Sequence, residues 1–269
     1  MSGHWTLDDI PWERFDPTKV DPDLLRVAKT ASMVERNAED YANYLCNVFD
    51  DDPAFREAAR HWAKEEEQHG EALRRWAEMA DRDFDFQKSF RRFTEGFRIP
   101  VEAVRSVRGS RTGELIARCV VEVGTSSYYS ALADASDEPV LKKICQNIAS
   151  DEFRHYKLFY THMKRYRAQE PLSAFHRLRI ALGRMVEAED DELAFAYFCA
   201  NDEPGPYQRK KSSADYIGRA FRYYRPHHIE RAIAMTMKAA TLRVSDGVVR
   251  GIAKIAHWVL RWRVKMVST

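Results

Sequence analysis

The sequence predicts an all-α fold, a four-helix bundle with a di-metal site, extended by additional C-terminal helices. Three observations carry the fold class. Apolar residues recur at three- and four-residue steps over long stretches, the spacing that lines one face of a helix. β-Branched residues never alternate with polar ones over a useful length, so strand signals are nearly absent. Breaks rich in Asp and Pro, at Asp21-Pro22, Asp50-Asp51-Asp52-Pro53 and Asp134–Pro139, cut the chain into segments of helical length.

Residues 1–20 hold Trp5, Trp12 and Phe15 together with Pro11 and Pro17, which predicts an extended arm that packs its aromatics onto the body and holds no chemistry. From Asp21-Pro22, the residues Leu24, Val27, Ala31, Val34, Ala38, Tyr41 and Leu45 predict one helix up to the acidic break at Asp50. A second helix is predicted from Pro53 to Asp81. Residues 82–112 mix Phe84, Phe86, Phe90, Phe93 and Phe97 with Pro100 and Gly109, and read as a long crossover containing short helices. A third helix over 113–135 and a fourth over 139–168 complete a bundle spanning 21–170. Beyond Pro171 a further helix is expected to Ala200, then a break at Asn201–Lys211 around Pro204-Gly205-Pro206, then a last helical region over 213–267. This 171–269 extension is expected to pack on the bundle, within one enlarged domain of 269 residues whose 45% hydrophobic content allows a substantial core.

Charge and cysteine usage exclude several classes. Lys and Arg number 43 against 41 acids, a formal charge of +2, so no whole-molecule field draws in nucleic acid or anionic membrane and any charge-based docking is local. No nucleic acid partner is expected. Cys46, Cys119, Cys145 and Cys199 show no CxxC spacing, which argues against a zinc knuckle, a thiolate iron centre or a disulfide framework and reads as core. With no stretch approaching 18 uncharged apolar residues, no transmembrane segment is expected, and a reducing cytoplasm is the expected home.

The chemistry resides in two segments that place a glutamate three residues ahead of a histidine, Glu66-Glu67-Gln68-His69 and Glu152-Phe153-Arg154-His155. Positions i and i+3 share a helix face, so each pair can offer a carboxylate and an imidazole to one metal. Glu35 stands 31 residues before Glu66, and Glu122 stands 30 before Glu152. Each of these glutamates lies about 15 residues, hence about 22 Å, from the turn that joins its pair of helices, so all four can meet at one level. Glu35 follows Met33-Val34 and Glu122 follows Val120-Val121, apolar surroundings in which an unpaired charge is costly and metal cations would compensate it. A helix with Glu followed by a helix with Glu-x-x-His, used twice, is also an internal repeat. Four carboxylates and two imidazoles form the ligand set of di-iron and di-manganese bundle proteins. Oxygen donors with one nitrogen per metal suit two iron ions, Fe(II) in the reduced form, and manganese fits the same donors at one or both positions.

Around these ligands the sequence resembles the soluble acyl-carrier-protein desaturases of the ferritin-like superfamily. Trp62-Ala63-Lys64-Glu65-Glu66-Glu67-Gln68-His69-Gly70 is similar to that family's W-x-x-E-E-x-x-H-G segment, and Asp151-Glu152-Phe153-Arg154-His155 to its D-E-x-R-H segment. Thr125, three residues after Glu122, matches a family threonine held near the metals, and Tyr41 follows Glu35 at the family spacing, which ferritins share. The resemblance implies that Asp151 and Trp62 orient a ligand histidine and carry electrons inward, and that Thr125 assists proton delivery. It covers residues 20–168 and then fades. Val123-Gly124, Tyr128-Tyr129 and Tyr156 depart from the family pattern, which leaves the substrate open.

The resemblance implies an oxygen-dependent di-iron oxidoreductase that desaturates a fatty acyl chain on acyl carrier protein, takes electrons from a ferredoxin-like donor and forms a homodimer. Glu35 and His69 are expected at one iron, Glu122 and His155 at the other, with Glu66 and Glu152 bridging. Iron storage or peroxide detoxification by a ferritin- or rubrerythrin-like protein explains the ligands equally well, and oxidation of an amine, an aromatic or a nucleoside stays open. Arg105, Arg108 and Arg111 read first as a solvated face and second as a docking site for acyl carrier protein. Residues Lys254–Met266 are basic, aromatic and helix-compatible. They are read first as packing on the bundle or a dimer mate, and second as peripheral contact with a membrane or an acyl substrate.

Overall fold

Helix starts follow from acid–proline pairs. The computed structural model describes residues 4–187, 191–201 and 205–267 and contains, in order, α1 (Pro22–Arg36), α2 (Ala38–Val48), α3 (Pro53–Ala80), α4 (Phe86–Gly96), α5 (Arg111–Ala135) and α6 (Pro139–Gln169). Proline opens α1, α3 and α6, where its missing N–H and fixed φ do no harm. The acid before each proline accepts the backbone donors that the first turn leaves orphaned: Asp21 from Asp23 N at 2.7 Å, Asp52 from Phe55 N at 3.1 Å, and Glu138 from Leu141 N at 2.7 Å. Ser110 does the same for α5, from Gly113 N at 3.0 Å. Among the described residues no strand occurs.

The segment predicted as one helix from residue 21 is two, because α1 ends at Arg36 and α2 starts at Ala38. The reason is a close approach. At Gly70 on α3 a Cβ would stand 2.7 Å from Arg36 N and 3.0 Å from Arg36 Cα, so the α1–α2 joint lies directly on the glycine backbone. Asn37 N tightens the last turn of α1 onto the carbonyls of Met33 and Val34, both at 3.2 Å. Gly70→Ala must push backbone away, one residue from Glu35. We expect a loss of about 2 kcal/mol in thermal unfolding of the purified protein, the usual size of an overpacking penalty, and unchanged stability would show that the joint yields freely.

Two apolar layers fill the bundle, one on either side of a polar level. The first contains Leu24, Val27, Met33, Leu73, Trp76, Tyr129, Leu132, Ile144 and Ile148. The second contains Leu45, Phe49, Phe55, Trp62, Leu115, Cys119, Val123, Phe159 and Met163. Along α3 and α6 the glutamates and histidines of interest fall between the two sets, and on α5 Glu122 stands where the second set gives way to the first. Each large buried side chain in these layers contributes roughly 1.5–3 kcal/mol. The arm adds Ile10 to the first layer and packs Trp5, Trp12 and Phe15 against it. Within the crossover, α4 seats Phe86 and Phe93 there too. All four cysteines are buried as thiols, outside any disulfide.

Beyond the bundle lie α7 (Ala174–Glu187), α8 (Asp191–Ala200), α9 (Arg209–Ala220), α10 (Pro226–Ala239) and α11 (Asp246–Val267). Where the spacing predicts one last helical region, three helices form. Pro226 holds Arg225 extended at φ −106° and ψ 161°, which separates α9 from α10. Thr241 adopts φ 54°, a left-handed conformation that ends α10. Pro204 of the predicted break and residues 188–190 lie outside the described residues. Here α8 buries Ala196, Tyr197, Phe198 and Cys199 in the first layer, and α11 packs Val249 and Ala253 on Ile229 and Ile233 of α10. No helix among the described residues is long and apolar enough to cross a membrane.

Candidate metal centre

The i, i+3 spacing on α3 and α6 turns Glu66 with His69, and Glu152 with His155, into the level between the two apolar layers. Glu35 enters from α1 and Glu122 from α5. All six are buried, with His69 at 0% and Glu122 and Glu152 at 1% exposure. They form two groups, Glu35, Glu66, His69 and Glu152 in one and Glu66, Glu122, Glu152 and His155 in the other; within each, one donor atom per residue lies within 4.8 Å of the rest. His69 Nδ1 stands 3.4 Å from Glu152 Oε1 and 3.5 Å from Glu66 Oε2, and His155 Nδ1 stands 2.9 Å from Glu66 Oε1 and 3.5 Å from Glu122 Oε2. The two imidazole centroids are 5.7 Å apart.

A second ring of acids sets the tautomers. His69 Nε2 lies 3.0 Å from Asp151 Oδ2, and His155 Nε2 lies 2.6 Å from Glu65 Oε2. An ionised carboxylate only accepts, so each Nε2 carries a proton, and when the ring is neutral it is Nδ1 that turns a lone pair inward. Arg154 bridges the two acids, with Nη2 2.7 Å from Asp151 Oδ1 and Nη1 3.4 Å from Glu65 Oε1. Burial alone would raise Asp151, but hydrogen bonds from His69 and Arg154 bring it down to about 2. The pairing is crosswise: the acid beside each Glu-x-x-His glutamate holds the histidine of the other helix.

Electrostatic strain in the inner level is large. Burial, then the charges of neighbouring glutamates, hold Glu35 and Glu122 well above the usual carboxylate range. At Glu66 and Glu152 burial pushes the same way, but Glu35 and then the two imidazoles beside Glu66, and the imidazoles alone beside Glu152, outweigh it and leave both low. Burial disfavours the imidazolium at His69 and His155, yet surrounding carboxylates keep both well above the ordinary histidine value. Five inward atoms, His69 Nδ1, His155 Nδ1, both oxygens of Glu122 and Glu152 Oε1, are buried without a hydrogen-bond partner. Each such group costs about 1–3 kcal/mol, more when charged, and cations at this level would satisfy all five. The cluster has the donors and the deficit of a site that holds metal.

A family model described as fatty acid desaturase matches residues 35–187, more than half of the 269-residue chain. The chain belongs to the fatty acid desaturase family. Its matched span starts at Glu35 and runs through every residue of both groups. A comparison with curated proteins gives no match.

Within this family member the remaining expected site residues take different places. Thr125 Oγ1 stands 2.6 Å from Glu152 Oε2, and also 3.2 and 3.1 Å from the carbonyls of Val121 and Glu122. One hydroxyl proton serves one of these acceptors at a time. Asp151 supports His69, as described. Trp62 does not: it lies seven residues before His69, two turns or about 10 Å along α3, and its ring meets Phe159 at 5.6 Å. The indole on Asp151 is that of Trp5, whose Nε1 donates to Asp151 Oδ2 at 2.6 Å and whose ring lies parallel to His69 at 6.0 Å. The arm expected to be inert therefore reaches the site, fixed by Gln68 Nε2 donating to Trp5 O at 2.9 Å. Tyr41 points elsewhere, donating to Glu192 on α8 at 2.6 Å. Tyr129 donates to Glu35, a contact the sequence reading missed.

A third group, Asp134, His227 and His228, has the residue types of a metal site but not its proton arrangement. His228 Nδ1 accepts Arg225 N at 3.0 Å, so the ring proton sits on Nε2, 3.3 Å from Asp134 Oδ2. That is a helix cap, not an open ligand. Of the three arginines near the crossover, Arg111 is committed to the α2–α3 turn: its Nε donates to Val48 O at 3.1 Å and its Nη1 lies 2.7 Å from Asp51.

Proposed function

We propose that the protein is an oxygen-dependent di-iron oxidoreductase that desaturates a fatty acyl chain, presented by acyl carrier protein, with electrons from a ferredoxin-like donor and a homodimer as the working form. The observation that carries the reading is that Glu66 and Glu152 belong to both donor groups. They would bridge two irons, Glu35 and His69 holding one and Glu122 and His155 the other; manganese fits the same atoms. When bound, the irons supply the O2-dependent oxidising power that hydrogen removal from an unactivated C–H pair demands. The chain supplies the rest. Asp151 and Glu65 keep both Nδ1 lone pairs turned inward, and the two apolar layers keep bulk water from the level between them. Thr125 can hold a proton at Glu152 Oε2 or swing it to a backbone carbonyl, which suits proton delivery. The hydrogen-bonded line Trp5–Asp151–His69 supports Asp151 as the inlet for electrons, with Trp5 rather than Trp62 at its outer end.

Metal analysis with optical and Mössbauer spectra of anaerobically iron-loaded protein tests this directly. Two irons per chain, oxidised by O2 faster when acyl carrier protein bears its acyl chain, is the expected result. Oxidation indifferent to the acyl substrate would favour peroxide removal or storage, and absence of bound metal would overturn the reading. Thr125→Val should keep both irons and lower turnover on the order of a hundredfold, the scale of a lost proton-transfer group.

A further inference from the structure

The last helix presents a second apolar face that no described residue covers. Its inward stripe, Val249 and Ala253 with Leu260 beside them, meets α10. On another side, Val248, Ile252, Ile255, Val259 and Trp262 recur at steps of four, three, four and three, and so form one stripe about 120° around the axis from the first. They are 51%, 40%, 67%, 38% and 54% exposed, and Trp258, 68% exposed, widens the stripe on one edge. Along that edge run Arg250, Lys254, Arg261 and Lys265, and no acid occurs between Gly247 and Lys265.

Charge decides what this face can meet. A second copy would set two basic edges against each other with only Asp246, in the first turn of each helix, to pair them. An apolar stripe with exposed tryptophans and a one-sided cationic border is instead complementary to a bilayer whose headgroups are anionic. The stripe enters the acyl boundary, the indoles sit at headgroup level, and the arginines and lysines meet phosphate. We propose that α11 docks the protein, lying in the plane of the interface, on an anionic phospholipid membrane. The net charge of +2 supplies no such attraction by itself, so the docking is a property of this one helix.

The test is cosedimentation of the full-length protein with large vesicles of phosphatidylcholine alone and of phosphatidylcholine with phosphatidylglycerol at about three to one. Binding to the anionic vesicles should exceed binding to the neutral ones by more than tenfold and fall as salt rises. Trp258→Ala with Trp262→Ala should weaken it, and Arg250→Gln with Lys254→Gln should weaken it about fivefold per residue. All four positions are exposed, so these variants keep the fold, which their unfolding curves will show. Equal affinity for neutral vesicles, or no binding to either kind, overturns the proposal. So does light scattering that shows a dimer which Ile255→Asp dissociates, because a second copy would then be the occupant.

Discussion

Glu122→Leu is expected to abolish turnover and the O2-reactive pair of irons while making the metal-free protein more stable. The two effects have one cause. Both Glu122 oxygens are buried without a hydrogen-bond partner, at 1% exposure, and burial with the neighbouring Glu152 charge holds its carboxyl well above the usual range. In the metal-free fold the side chain is a burden, and an apolar residue of similar volume removes it without leaving a cavity, a change that typically stabilises by 1–4 kcal/mol. For a chain of this size that raises the melting temperature by roughly 2–4 °C for each kcal/mol. With metal present the same carboxylate is a ligand, and its loss strips His155 of its companion at one of the two positions. Chelated and iron-loaded samples of both proteins, melted side by side, would show the reversal. A variant that melts lower in both states would mean that Glu122 is an ordinary packing residue. Glu66→Ala, which touches both donor groups, should lose both metals.

That opposition also explains what was legible in the sequence. Glu35, Glu66, His69, Glu122, Glu152 and His155 could be placed together because helical rise and equal spacing from the turns are local rules, and a bundle obeys them. Partners that depend on how helices are laid against one another were out of reach. The break at Asn37 arises from Gly70 on another helix, and Tyr129 meets Glu35 across the bundle. Trp5 reaches Asp151 across 146 residues from an arm whose aromatics looked like packing alone, and its indole takes the place expected of Trp62. One miss did carry a signal. Glu65 precedes Glu66 as Asp151 precedes Glu152, so the repeat is acid-Glu-x-x-His rather than Glu-x-x-His. Read at that length, it marks Glu65 as the counterpart of Asp151, and the structure gives it the corresponding histidine at 2.6 Å. The three-helix ending was obscured for a different reason: a left-handed Thr241 carries no sequence signature, unlike a glycine at the same position.

The slope of stability against pH should change sign when metal binds. In the metal-free protein His69 and His155 have folded values raised well above the ordinary 6.5, through carboxylate hydrogen bonds that overcome burial. Their contribution is therefore complete below 6.5 and is lost as the pH rises through the raised values. Glu35 and Glu122, raised above the ordinary 4.5 by burial, act in the same direction. Glu66, held low by Glu35 and the histidines, Glu152, held low by the histidines, and Asp151, held at about 2, act oppositely: their contribution is present above the ordinary carboxylate values and lost on acidification. The chelated protein should thus be most stable near pH 4.5, weaken above it through Glu35 and Glu122 and more steeply above 6.5 through the two histidines, by about 1.4 kcal/mol per pH unit for each proton released. Metal ligation demands the same groups deprotonated, so affinity, and with it the stabilisation metal confers, grows as the pH rises. Melting curves from pH 5 to 8, with chelator and with excess Fe(II) under nitrogen, should diverge as the pH increases. Parallel curves would mean that the protons on this cluster do not compete with a cation, and the four glutamates would then need another account of why they are buried together.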